Sequence, residues 1–434
     1  MSAGRPAGGG ARICLTTFGS FGDLHPVLGL ARELRARGHA PIIATAPIYR
    51  EIVEGEGISF APMRPDLDPN DRSLIARIMD RVRGTERLME EIMPHFRDSY
   101  RDLLAASDGA DVLVSHPITF AGPVVAEQRG LPWASMVLSP MSFFSAYDFP
   151  VLPPVPRVVA LTERSPAVAR ALYRVSRVAT RRWTAPVHEL RAELGLPRGG
   201  NPIFEGQHSP RLVLAMFSRV LAEPQPDWPE RVHITGGVRY DGGSGHDMPE
   251  ALERFLDEGD PPIVFTLGSA AVGAAGSFYE ESASAAMALG RRAVLVAGTH
   301  EVNRPRRPLP EDVLLVDYAP YSALFPRAAA VVHQGGIGTL HRALAAGHPM
   351  IVVPFAHDQP DNAHRAERLG ISRTIYPSAY RAERVARTLA SLLDDRAAST
   401  RAREIGRIVR AERGAAAAAE AIEELAGAGT IVRQ

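Results

Sequence analysis

The sequence predicts an α/β protein built from two doubly wound, mostly parallel sheets. Three observations carry this. Short apolar runs alternate with segments of helical periodicity, first from Arg12 and again from Pro262. Between the two alternations, residues 222–249 are rich in proline and glycine, as in Glu223-Pro224-Gln225-Pro226 and Asp241-Gly242-Gly243-Ser244-Gly245. At 434 residues the chain exceeds one ordinary core, so two domains of about 200 residues are expected. The division is set at 1–230 and 231–400, with 401–434 as a helical tail.

In the first half, Arg12 to Thr17 reads as a strand, Pro26 to Arg37 as a helix and Ala40 to Ala46 as a second strand. Val112–Ser115 and Trp133–Ser139 continue the alternation. Residues 151–196 are arginine-rich and amphipathic, with Val168, Leu172, Val175 and Val178 at apolar positions. Two readings stay open: helices lying on the domain with a solvated face, or a membrane-contacting patch. In the second half the strands are Pro262–Leu267, Ala293–Ala297, Val313–Val316, Ala330–Val332 and Met350–Val353. The alanine-rich stretch Arg401 to Leu425 reads as one or two helices.

Lysine plus arginine (49) balance aspartate plus glutamate (49), so no net field favours nucleic acid or an anionic membrane. The chain has no lysine, which points to a GC-rich bacterial source rather than to a functional code. Cys14 is the only cysteine, excluding disulfides and cysteine zinc sites within the chain. No apolar run approaches about 18 residues, and MSAGRPAGGG has no signal-peptide core. A cytoplasmic protein without an integral membrane segment, monomeric or weakly dimeric, is expected.

The most informative stretch is His333-Gln334-Gly335-Gly336-Ile337-Gly338-Thr339. A strand, a glycine turn and a helix start bring backbone N–H groups and the positive dipole end together, which suits a phosphate. His333 stands where it could add a hydrogen bond to that phosphate; a tight turn with a core histidine is the alternative. Asp358 and Gln359 close the next apolar run and suit sugar hydroxyls.

HQGGIGT followed by HPMIVVPFAHDQPDNA resembles the donor-site signature of family-one inverting glycosyltransferases of the GT-B fold. That family includes plant natural-product, sterol, antibiotic and rhamnolipid-type enzymes. The resemblance implies two Rossmann-like domains facing a cleft and C-terminal helices that cross back to the first domain. It implies a nucleotide-sugar donor held by Ser269, Tyr318, His333, Gly335, Gly336, Ile337, Gly338, Thr339, Asp358 and Gln359. Tyr318 would stack on the nucleobase unless it is a core aromatic. The plant enzymes place a ribose-binding glutamate eight residues after the cradle histidine, where this chain has His341. That leaves dTDP-rhamnose open beside UDP-glucose.

Gly22-Asp23-Leu24-His25-Pro26 resembles the loop carrying the catalytic base. Asp23 is the base candidate and His25 the second, unless Asp23 only caps the following helix. His116 takes the place of the plant enzymes' orienting aspartate, so an Asp23–His116 pair is possible, with His116 as a plain loop residue the alternative. Phe143, Phe144, Tyr147 and Phe149 suit either an acceptor wall for a lipophilic or aromatic alcohol such as a flavonoid, or a packed loop. Asp66-Leu67-Asp68 looks like a metal motif but lies in a proline-rich loop, so no metal or other cofactor is expected. The function implied is hexosyl transfer; a sugar-nucleotide epimerase or hydrolase and a degenerate, non-catalytic relative are the alternatives.

Overall fold

A computed structural model describes residues 10–432 except 70, 154–157, 241 and 243–246. The N-terminal segment weighed as a leader (1–9) and most of the glycine-rich stretch around Gly242 therefore lie outside the described residues.

The first sheet contains β1 (Arg12–Thr16), β2 (Ala40–Thr45), β3 (Ser59–Pro62), β4 (Val112–Ser115), β5 (Trp133–Val137), β6 (Val213–Ala215) and β7 (Val232–Ile234). All pair in parallel, in the order β3-β2-β1-β4-β5-β6-β7. The second contains β8 (Ile263–Thr266), β9 (Ala293–Val296), β10 (Val313–Val316), β11 (Ala330–His333), β12 (Met350–Val352) and β13 (Ser372–Thr374), in the order β10-β9-β8-β11-β12-β13. The central strands are buried on both faces, which is why they read as continuous apolar runs. In each sheet the winding direction reverses once, between β1 and β4 and between β8 and β11. Ligand crevices of open parallel sheets form beyond the carboxyl ends of such strands.

Three details differ from the sequence reading. β7 belongs to the first sheet, so that lobe runs past residue 230. The first helix is Phe21–Ala36 and starts five residues before Pro26, because Ser20 and Asp23 form a reciprocal capping box. The tail helices begin at Arg396 (Arg396–Ala411, then Gly414–Val432) rather than at 401.

The last helix lies on Phe21–Ala36, with Ile422, Ala418 and Ala419 in the same apolar cluster as Leu30 and Leu34. Arg37 reaches Glu420 (3.0 Å) and Glu423 (3.1 Å) there. Two further segments of the first lobe dock on the second. Ile75 and Met79 bury among Phe265, Leu267 and Ala271, and the loop after β5 meets the helix Gln359–Arg368. In that contact Arg365 bonds Asp361 at 2.7 Å, Asp148 of the first lobe, and the Leu221 carbonyl at 3.2 Å. Asp361 also accepts from the Val151 N–H at 3.0 Å. Arg365 and Asp361 are buried to 2% and 1% side-chain exposure.

One helix breaks the inside-outside rule. Pro166–Ala179 buries only Ala169 and Tyr173, while Val168, Val175 and Val178 are exposed and Leu172 is half-buried. The helix lies on the domain through Ala169 and Tyr173 with its arginines solvated, but Val168, Val175 and Val178, expected to face inward, do not.

A buried charge stripped of its partner is expensive. Arg365→Ala is expected to destabilise the protein by about 3–5 kcal/mol in urea unfolding followed by circular dichroism. Arg37→Ala, removing half-exposed pairs, should cost about 1 kcal/mol or less.

Candidate active site

The cradle sits between β11 and the helix Ile337–Ala346. Gly335 adopts φ +87°, and a Cβ there would lie 2.7 Å from Val352 Cγ1, so the turn admits only glycine. The N–H groups of the helix's first turn have no intrahelical acceptor, and no side chain caps them. Free donors at a helix start suit an anion, to which the dipole would contribute roughly 0.3–2 kcal/mol.

His333 does not point at these donors. It is fully buried, its Nδ1 accepting the Gly335 N–H (3.0 Å) and its Nε2 lying 3.4 Å from Met350 Sδ. Burial pushes its pKa down to about 3, so the ring is neutral. The imidazole pins the turn from below instead of touching phosphate, a correction to the sequence expectation.

The loop after β8 touches the same turn. Gly268 has φ +61°, and a Cβ on it would come within 2.2 Å of Gln334 Nε2. Ser269, next in the chain, is exposed and faces a cavity of 730 Å³ between the lobes. Ile337, Gly338, Thr339, Tyr318 and His25 also line it. Tyr321 lines it as well, stacked on Phe325 with its hydroxyl 2.6 Å from Thr266 Oγ1. Tyr318 is 40% exposed and lines the cavity.

Arg342, His300 and Tyr240 line the cavity too and were not anticipated. Arg342 stands one turn after Gly338 and bonds its carbonyl at 3.1 Å and that of Tyr240; the i, i+4 spacing was the available signal. His341 is buried, accepts the Ser218 N–H at Nε2 (3.2 Å) and packs on Gly237. Burial holds its pKa down near about 3.

The two carboxylates belong to opposite lobes. Asp23 Oδ2 accepts the Ser20 N–H (2.9 Å), and Gly19, at φ +128°, leaves its place open: a Cβ there would be 2.3 Å from that oxygen. Among the described residues Oδ1 has no hydrogen-bond partner. Burial outweighs the Ser20 bonds and lifts the Asp23 pKa to about 6. Asp358 precedes the helix Gln359–Arg368, and burial raises its pKa to about 7; Asn362 opposes this and the nearby Asp23 charge adds to it.

Asn362, one turn into the helix Gln359–Arg368, ties Asp358 to the glycine turn. Its Nδ2 donates to Asp358 Oδ2 and to the Gly335 carbonyl, both at 2.8 Å, and its Oδ1 accepts from Ser139 Oγ of the other lobe at 3.3 Å. Gln359 turns its carbonyl oxygen to the Phe355 N–H (2.8 Å), tying its own loop.

His116 follows β4, half-buried, and its Nδ1 accepts the Ile118 N–H at 3.4 Å. Burial lowers its pKa to about 4. Among the described residues it shares no hydrogen bond with Asp23. His25 instead lies between the Phe21 and Tyr240 rings, each 5.2 Å away.

The aromatic cluster does not wall the cavity. Phe143 is buried, stacked on Trp228 at 4.1 Å; Phe149 packs on Tyr173 at 5.0 Å, and Phe144 on Phe204 at 4.8 Å. Tyr147 is exposed and accepts from Arg170 at 2.8 Å. Asp66 accepts the Ile48 N–H at 3.3 Å. Among the described residues no three His, Cys, Asp or Glu side chains are placed to hold a metal ion.

This geometry agrees with what the chain is similar to. Residues 13–146 match the glycosyltransferase family 28 N-terminal domain, and 292–425 match the C-terminal domain of erythromycin biosynthesis protein CIII-like proteins. The O-mycaminosyltylonolide 6-deoxyallosyltransferase of Streptomyces fradiae is 34% identical over 96% of this chain and 97% of its own. The chain belongs to this family of GT-B glycosyltransferases. The sterol 3-beta-glucosyltransferase of Leptosphaeria maculans is 29% identical over 97% of the chain, which spans 29% of that protein. The crystal structure of the glycotransferase of kitacinnamycin shares the fold, with a TM-score of 0.68, 24% identity and coverage of 96% and 99% of the two chains. The protein is thus a nucleotide-sugar-dependent glycosyltransferase, of the kind that transfers sugars to small molecules.

Neutral, buried His333 and His341 set a pH dependence. Their folded pKa lies below the unfolded value, so the unfolded state binds more protons as pH falls below about 6.5. Asp23 and Asp358 oppose this between about pH 4 and 7, but they are only half-buried, and cleft water weakens their effect. The melting temperature of the transferase is therefore expected to fall between pH 7 and pH 5. Gly335→Ala should weaken nucleoside diphosphate binding about tenfold or more by calorimetry, because the forbidden φ distorts the anion seat.

Proposed function

We propose that the enzyme is an inverting transferase that moves a hexosyl unit from a dTDP-sugar to a hydroxyl of a lipophilic small molecule, with Asp23 as base. Asp23 takes the hydroxyl proton, the oxygen attacks the anomeric carbon, and the bond to the β-phosphate breaks. The diphosphate leaves onto the N–H groups of Ile337, Gly338 and Thr339, with Ser269 opposite. Tyr318 stacks on the base, adding roughly 1–3 kcal/mol. Asp358, oriented by Asn362, reads sugar hydroxyls, with Gln359 as the second reader.

The observation that carries this reading is the uncapped start of the helix Ile337–Ala346 at the cavity between the lobes, with the charge of Asp23 in the first lobe felt by Asp358 in the second. A base, a sugar reader and a leaving-group seat then converge from two lobes. His25, which lines the cavity, is the second candidate for the base. A role for His116 in a shared-proton pair has less support, because its ring is engaged by its own loop.

His341 favours dTDP over UDP: it offers no carboxylate to a ribose and is held toward Ser218. The Streptomyces fradiae relative, named for 6-deoxyallosyl transfer, supports a deoxyhexose such as rhamnose, and the fungal relatives, named for sterols, keep glucose in view. No feature of the cavity favours a flavonoid over another lipophilic alcohol.

Asp23→Asn should lower kcat by about 10²–10⁴ while dTDP still binds. The wild-type kcat/KM should fall as pH drops below about 6, where Asp23 gains its proton. Asp358→Ala should lose sugar transfer and keep nucleotide binding. A panel of UDP- and dTDP-sugars read by mass spectrometry, with and without acceptor, decides the donor. Equal turnover by Asp23→Asn would refute the assigned base.

A further inference from the structure

The helix Pro166–Ala179 is apolar on the side opposite its packed face. Inward, it is fixed by buried Ala169 and by Tyr173, whose hydroxyl donates to the Ser145 carbonyl at 3.2 Å. Outward, Val175 and Val178 are 67% and 76% exposed, Val168 is 39% exposed, and Leu161 on the preceding turn is 57% exposed. At about 100° per residue, Val168, Val175 and Val178 fall within one sector of about 80°. Of the eleven large apolar side chains exposed among the described residues, these are four, gathered within 161–178. Single exposed apolar residues are ordinary; a cluster on one face is not.

Charge surrounds that patch. Residues 161–182 hold six arginines and one glutamate, although the whole chain is neutral. Arg177 pairs with Glu205 (2.8 Å) and Arg170 donates to Tyr147. Arg164, Arg174, Arg181 and Arg182 make no ion pair among the described residues, and all four are exposed. The only acid, Glu163, faces His364 at 3.4 Å. Two copies meeting through this face would oppose their arginines, so the charge disfavours self-association.

We propose that this face docks the enzyme peripherally on an anionic lipid surface, the valines and Leu161 entering the headgroup boundary and the arginines pairing with lipid phosphates. The attachment is interfacial, since among the described residues no helix is long and apolar enough to cross a membrane. The Tyr147 and Ser145 contacts join the helix to the loop that carries Asp148, so docking would bring the lobe interface close to the lipid. The inference goes beyond the transferase reading and does not depend on it.

The test is co-sedimentation of the full chain with vesicles of phosphatidylcholine alone or mixed with phosphatidylglycerol. Binding is expected to the mixed vesicles only, and to weaken with added salt. The double variants Val175→Glu/Val178→Glu and Arg174→Glu/Arg181→Glu should each lose about tenfold or more of that binding. Both should keep wild-type circular dichroism and wild-type turnover on a water-soluble acceptor, which separates loss of docking from misfolding. Three results would each overturn the proposal: no binding to anionic vesicles at low salt, equal binding to neutral ones, or self-association of the wild type that the valine variants abolish.

Discussion

Everything at the cleft depends on one helix held between two lobes. Gln359–Arg368 belongs to the second lobe, yet Arg365 spends its charge on Asp148 of the first as well as on its own Asp361. Two carboxylates around one buried guanidinium satisfy a group that would be costly alone. The same helix carries Asn362 one turn earlier, where a single amide holds the donor turn through Gly335, orients Asp358 and meets Ser139 across the gap. Lobe position and carboxylate position are therefore one mechanical variable. A motion that opened the lobes would strain both the ion pairs and the amide bridge.

The turn proposed to seat the diphosphate offers backbone N–H groups, and glycines at 268 and 335 allow close packing there where a Cβ would collide. His333 supports that turn as a neutral ring; a charged imidazolium at this depth would cost more than it could return. The carboxylates sit in the opposite condition. Burial raises their proton affinity toward neutrality, which suits the base role proposed for Asp23.

Much of this was legible in the chain. Strands β1, β4, β8, β9 and β11 are buried on both faces, and their unbroken apolar runs gave them away. β3, β6, β7 and β13 were missed: each has only three or four residues, and three of them are partly solvated edge or near-edge strands without a clean pattern. The first helix was started late because Pro26 was read as its first residue, whereas the proline is tolerated inside and Ser20 sets the true start. Phe143 and Phe149 were weighed as an acceptor wall; an aromatic residue after a strand serves packing and binding equally, and Trp228 and Tyr173, far away in sequence, decided for packing.

The sequence by itself determined the two parallel sheets, the glycine turn before the helix Ile337–Ala346 and the residue types gathered there, because periodicity and turn chemistry are local properties. Tertiary structure alone decided that His333 supports rather than touches, that Asn362 reaches Ser139 of the other lobe, that Arg365 clamps the lobes and that the valines of Pro166–Ala179 face outward. For Asn362 and Arg365 this turns on partners more than two hundred residues away, for His333 on burial beside Met350, and for the valines on which side of the helix finds a neighbour. Burial and pairing of that kind exist only once the two lobes have met.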